Sequence, residues 1–170
     1  PAPENLTSVR TIPLWNEQLP ERSGVSRAGA QAVEDLIREL VRAMPADAAG
    51  VGRSVELFLD ALRRFATEAQ RRGGTAGLFS TDRAVRRLCE QWLLLTGTRL
   101  SLHEALVWGD LLEHLTRPLG VAVVRADIIH SSMNGPAMLV GMLAKWLHGT
   151  PVVMSEHGTY LRERYLLQET

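Results

Sequence analysis

Three groups of residues in the last third of this chain have the types and spacing to do chemistry: His130, Asn134-Gly135 and Glu156-His157-Gly158. A histidine followed by glycine at the end of a short apolar run, with a helical pattern just after it, presents an imidazole and free backbone N–H groups at a positive helix end. That arrangement favours an anion or a sugar hydroxyl. Asn134-Gly135, at the start of the preceding helical pattern, offers a second set of donors. Glu156 beside His157 can orient the ring, accept from a substrate hydroxyl, or both. Arg162 and Arg164 are two apart on a helical pattern and do not share a face, so one of them at most reaches the same place, the other pairing with Glu163 or solvent.

The elements that must position these residues are legible as periods. An apolar run from Asp127 to His130 is followed by a polar turn, Ser131 to Gly135. A helical stretch comes next, apolar at Met138, Leu139, Met142, Leu143, Trp146 and Leu147. After His148-Gly149 come a second apolar run, Pro151 to Met154, and the charged turn Ser155 to Gly158. This is a β-loop-α-β pattern, which predicts two parallel strands whose following loops lie on one edge of the sheet. Open parallel sheets bind ligands outside the carboxyl ends of their strands. His130, Asn134, Gly135, Glu156, His157 and Gly158 are therefore expected to converge on one crevice. Tyr160 to Gln168 reads as a final helix.

Upstream, residues 1–26 read as an extended arm anchored by Ile12, Leu14 and Trp15. Residues 27–117 read as a helical layer. The first helix starts near Ser26, carries Ala32, Val33, Leu36, Ile37, Leu40, Val41 and Met44 on one face, and stops before Pro45. Ser54 is the expected cap of the second, with Val55, Phe58, Leu59, Leu62, Phe65, Ala66 and Ala69 inward and Gly73-Gly74 at its end. The third follows Ser80-Thr81-Asp82, presents Val85, Leu88, Cys89, Trp92 and Leu95, and stops at Gly97. The fourth opens on Ser101-Leu102-His103-Glu104, a capping-box pattern, and carries Ala105, Leu106, Leu112 and Leu115 inward. Pro118 to Val124 is an apolar connection, extended or a brief strand. The arginine pairs Arg63-Arg64, Arg71-Arg72 and Arg86-Arg87 fall on polar faces and are expected in solvent.

With 170 residues and 45% apolar content the chain is about one domain long, enough to bury roughly 70% of its unfolded surface. Nineteen Lys plus Arg balance nineteen Asp plus Glu, so no overall field argues for nucleic acid, a membrane surface or a polyanion. A single cysteine, Cys89, excludes an internal disulfide framework and fits a reducing compartment. No apolar run approaches membrane-spanning length. The chain opens on Pro1-Ala2-Pro3, and no strand with a glycine turn precedes the helices, so it is expected to be a segment of something longer.

Each candidate also has a structural reading. His157 serves equally well to cap the final helix or bond a carbonyl, Asn134-Gly135 is ordinary turn chemistry, and His130 suits a bonded core or strand-end histidine better than a catalyst. His103 and His114 lack acidic or cysteine partners at metal spacing, which argues against a zinc site. Trp92, Trp108 and Trp146 sit at packing positions among leucines. The motifs G-x-S-x-G, P-loop and G-x-G-x-x-G are absent.

The run Asp127-Ile128-Ile129-His130, then Asn134-Gly135, Lys145-Trp146 and Gly149-Thr150-Pro151, leads to Ser155-Glu156-His157-Gly158-Thr159-Tyr160-Leu161-Arg162-Glu163-Arg164-Tyr165. This series resembles the family 4 glycosyltransferases of the Pel-polysaccharide (PelF-like) type, which carry a DUF3492 N-terminal region. The resemblance is specific over residues 118–166 and rests on order and length over the helical layer. It implies a GT-B architecture of two Rossmann-like domains, with acceptor bound by the first and sugar nucleotide by the second, retention of configuration and no metal. It also implies that His157 and Gly158 line the cleft near the transferring sugar, that Glu156 and Asn134-Gly135 flank it, and that Tyr160 and Arg162 to Arg164 belong to the signature. The opening strand and the donor-side domain of that architecture are not among these residues.

The expected fold class is thus α/β, a partial Rossmann-like (GT-B N-terminal) domain with a large helical layer and few parallel strands. The expected organisation is an arm over 1–26, the helical layer over 27–117 and a β-loop-α-β-α unit over 118–170. The expected function is the acceptor-side portion of a cytoplasmic hexosyltransferase in exopolysaccharide biosynthesis, with Glu156 and His157 catalytic. His130, Asn134, Gly135, Gly158, Tyr160, Arg162 and Arg164 are then substrate-binding. No cofactor or metal is expected beyond the nucleotide sugar, a UDP-hexose, which is the donor substrate. Expected partners are a carbohydrate acceptor, the donor-side GT-B domain, a membrane-associated polysaccharide synthesis complex and a second copy of the chain at the unpaired sheet edge; nucleic acid is not among them. The alternative is a non-enzymatic helical interaction module with a vestigial α/β tail.

Overall fold

A computed structural model describes residues 6, 8–9, 11–13, 24–44, 51–123, 125–132 and 134–155. They form five α-helices and a two-stranded parallel sheet. Helix α1 spans Arg27–Ala43, α2 Val51–Arg72, α3 Asp82–Thr96 and α4 Leu102–Thr116; strand β1 is Ile129–Ser131, helix α5 Pro136–His148 and strand β2 Val152–Met154.

Local chemistry starts and stops these helices as the sequence implies. Ser26 caps α1, its hydroxyl accepting from the Gly29 N–H at 2.9 Å, and Thr81 caps α3 in the same way. Ser101 and Glu104 close a reciprocal capping box on α4. Hydrogen bonds from the Ser101 backbone and hydroxyl hold the Glu104 carboxyl below its ordinary pKa. Gly97 and Gly149 end α3 and α5 in the left-handed conformation that favours glycine.

Four helices, one loop and α5 share a single core. Val33 and Ile37 of α1, Leu62 and Phe65 of α2, Leu78 and Phe79 of the α2–α3 loop, Leu88 of α3, Ala105 of α4, Leu119 and Leu143 are all buried in it. The rings of Phe65 and Phe79 lie 5.4 Å apart. Cys89 packs against this core half-buried.

Several expectations need correction. Helix α2 begins at Val51, so Ser54 lies in its first turn and not at its cap. Val55 and Leu59 are exposed, because the apolar stripe of α2 runs further than the neighbours that cover it; full burial begins at Ala61. Met44, just past the last turn of α1, is 59% exposed, and Leu106, Leu115 and Leu147 are also open to solvent. Pro118 to Val124 does not begin as a strand. Arg117–Gly120 is a 3-10 turn with Arg117, Pro118 and Leu119 buried. The Gln70 amide donates to the Leu119 carbonyl at 2.6 Å and the Val121 carbonyl at 2.8 Å. Gly120 is required there, since a Cβ would lie 2.7 Å from the Gly74 Cα.

The arginines are not all surface decoration. Glu34 in α1 is 7% exposed and accepts from Arg83 Nε at 2.6 Å and Arg87 at 3.2 Å, both from α3. Burial pushes the Glu34 carboxyl up, but the hydrogen bonds and charges of the two guanidiniums outweigh it and leave its pKa lowered. Arg72 likewise donates to the Ala76 carbonyl. Of the expected arm anchors, Ile12 is half-buried, and Arg117 donates to the Pro13 carbonyl at 3.4 Å; Leu14 and Trp15 lie outside the described residues.

Strands β1 and β2 run parallel in the register Ile129↔Val152, His130↔Val153, Ser131↔Met154. The first strand begins two residues later than the apolar run and takes in Ser131, which sequence assigned to the turn. Helix α5 lies close against one face at Gly141, where a Cβ would stand 3.0 Å from Val152 Cγ1 and 3.5 Å from Ile129 Cγ2. The described architecture is therefore mostly helical, with a small parallel sheet joined by one crossover helix.

Candidate functional site

Because β1 and β2 are parallel, their carboxyl ends emerge together. The Ser155 N–H donates to the Ser131 carbonyl at 2.8 Å, extending the ladder past both strands. Ile129 and Val152 face Gly141 of α5, so the alternate residues, His130 on β1 and Val153 on β2, face away from the helix. Ser155 follows β2 directly, two residues past Val153, and shares that open face. His130 Nε2 lies 2.8 Å from Ser155 Oγ, with the tautomer deciding which of the two donates.

His130 is exposed, which corrects its reading as a core histidine: it is bonded and near the strand end, but turned to solvent. Ser155 was not among the residues singled out from sequence. Its signal was available, as a hydroxyl two positions beyond an outward strand residue and directly before Glu156.

Asn134 and Gly135 follow the carboxyl end of β1 and enter α5. Gly135 takes φ 87° and ψ −154° with no side-chain cap, and Pro136 follows it in the first turn of the helix. The positive φ selects glycine. Gly135 supplies no side-chain cap to the first turn of α5, which opens at the same end of the sheet as Ser155; the Met138 N–H donates to the Gly135 carbonyl at 3.0 Å. Glu156, His157, Gly158, Tyr160, Arg162 and Arg164 lie outside the described residues, as does the expected final helix. The geometry therefore brings together His130 and Ser155, with Asn134-Gly135 at the same sheet end.

A hydroxyl and an imidazole in hydrogen-bond contact can hold a ligand hydroxyl between a donor and an acceptor, and can pass a proton between them. Among the described residues, no three His, Cys, Asp or Glu side chains are grouped to hold a metal ion, and no helix is long and apolar enough to cross a membrane. The opposite, amino ends of the strands border a crevice of about 480 Å³ lined by Arg125, Ala126, Asp127, Leu147, His148 and Thr150.

Fold and site together define a helical domain that carries a β-α-β unit with polar strand tips. The chain belongs to the family described as Domain of unknown function (DUF3492), whose pattern matches residues 1–168. No curated protein and no solved structure matches it.

Proposed function

We propose that this chain is the acceptor-side portion of a retaining glycosyltransferase that moves a hexose from a nucleotide sugar, a UDP-hexose, to a carbohydrate acceptor in exopolysaccharide assembly. The observation that carries this reading is the pairing of His130 with Ser155 at 2.8 Å on adjoining parallel strand tips. From that point the chain runs directly into Glu156-His157-Gly158, within the string that resembles the PelF-like enzymes.

In this reading the acceptor hydroxyl attacks the anomeric carbon as the sugar–diphosphate bond breaks, and the acceptor's proton passes to the leaving diphosphate. His130 and Ser155 hold sugar hydroxyls. His157 supports the charge that develops during transfer, with Glu156 orienting its ring and the diphosphate held by a donor-side domain. The reaction belongs to the cytoplasmic side of a membrane-associated synthesis complex.

Substituting His157 by Ala in the whole enzyme is expected to lower turnover at least about tenfold, equivalent to ~1.4 kcal/mol in the barrier. Steady-state sugar transfer, measured with folding checked by circular dichroism, tests it; unchanged turnover retires the catalytic role.

One observation favours a second reading, a helical interaction module. Leu94 of α3 and Leu102 and Val107 of α4 are 79%, 66% and 55% exposed, apolar side chains that a partner could cover. Absence of any sugar transfer by the wild-type protein would leave this reading standing.

A further inference from the structure

The crevice at the amino ends of β1 and β2 lies at the other end of the sheet from His130 and Ser155, and the proposed transfer makes no use of it. We propose that it is a separate binding site for a small hydroxylated anion, a sugar phosphate or a sugar acid.

Arg125, Asp127 and His148 are exposed around the space, and Thr150, 4% exposed, lies at its edge. A volume of about 480 Å³ is in the range of small-molecule sites and holds a monosaccharide. Leu147, 42% exposed, supplies an apolar wall for a sugar ring.

The arrangement of charge selects the class. The Arg125 guanidinium matches one carboxylate or phosphate through paired N–H donors. Asp127 and the carboxyl end of α5, which stops at His148, are negative and rich in acceptors. A bare inorganic anion is attracted by Arg125 but repelled by these two groups. A neutral sugar satisfies them but leaves the guanidinium unused. A molecule with one acidic group and several hydroxyls satisfies both sides: the acid meets Arg125, and the hydroxyls donate to Asp127 and the last α5 carbonyls. His148 and Thr150 are placed to bond the remainder.

Isothermal titration of the full chain tests the assignment with four probes: glucose 6-phosphate, glucuronate, inorganic phosphate and glucose. At least one of the first two is expected to bind with a Kd on the order of 1 mM, with inorganic phosphate and glucose at least about tenfold weaker. Which of the two binds tells a sugar phosphate from a sugar acid. Arg125→Ala and Thr150→Val are each expected to weaken that binding about tenfold. Arg125→Lys, which keeps the charge but loses the planar fork, guards against a variant that fails to fold and is expected to weaken it too. His157→Ala is expected to leave it unchanged, which separates this site from the transfer reaction. Failure of both hydroxylated anions to bind overturns the site, as does phosphate binding equally well or full affinity in the folded Arg125 variants.

Discussion

The helical layer and the β-α-β unit treat their polar side chains in opposite ways. In the helices, one carboxylate is turned inward and paired: Glu34 is buried between Arg83 and Arg87, and Gln70 ties the 3-10 turn to α2. In the sheet unit, Ser131 and Thr150 are buried, but the polar pair at the strand tips is turned outward. His130 and Ser155 bond each other on an open face, while Val153 and Met154 of β2 remain 47% and 45% exposed. Parallel strands are ordinarily covered on both faces; among the described residues these are covered by α5 on one. The contrast teaches that one region holds the domain together and the other leaves chemical groups free for something else.

The largest effect expected from that contrast is in the core. Phe65→Ala removes a fully buried ring that contacts Phe79 and is expected to cost about 3–5 kcal/mol by urea denaturation. A loss under about 1 kcal/mol would mean that α2 is not the centre of the core.

A smaller effect is expected from the inward charge. Glu34→Gln keeps the size but removes the anion facing two guanidiniums, and is expected to cost about 2 kcal/mol, less than a fully buried pair because Arg83 is half exposed. The folded-state pKa of Glu34 is lowered, so its contribution is complete above the ordinary value of 4.5 and is lost as pH falls through the lowered one. Stability of the native chain should therefore decline in acid more steeply than that of the variant. Parallel pH curves would break the link between this carboxylate and the fold.

The smallest stability effect is expected where function is proposed. His130→Ala and Ser155→Ala each remove an exposed or half-exposed partner of one hydrogen bond and should change stability by under about 0.5 kcal/mol. Sugar transfer by the whole enzyme should nevertheless fall in both. A large stability loss at either position would make the pair a structural tie and remove the contrast between the two regions.

Much of this was legible from short-range pattern. The caps at Ser26 and before α3, the Ser101–Glu104 box and the glycine stops depend on residues a few positions apart and appear where the sequence implies, whereas the expected Ser54 cap falls inside α2. Arg87 was misjudged because its partner Glu34 is 53 positions away, a separation that helical periodicity cannot sense. The 3-10 turn was missed for a similar reason: its conformation answers to Gly74 and Gln70, and not to its own run of apolar residues. The sequence left His130 between a core and a strand-end position because its neighbours are apolar, whereas a strand alternates its faces and, among the described residues, α5 covers the face opposite His130.

The amino-acid sequence alone determined the described helices, their ends apart from the start of α2, and the β-α-β order, because hydrogen bonds and side-chain periods within one element decide them. It also placed His130 and Asn134-Gly135 after or within the first strand run. Only the tertiary structure decided that Ser155 is the partner of His130, that Glu34 joins α1 to α3, and that Arg125, Asp127, His148 and Thr150 border one space. Those juxtapositions depend on how separate elements pack, and packing is set by long-range burial and by backbone approach at Gly120 and Gly141.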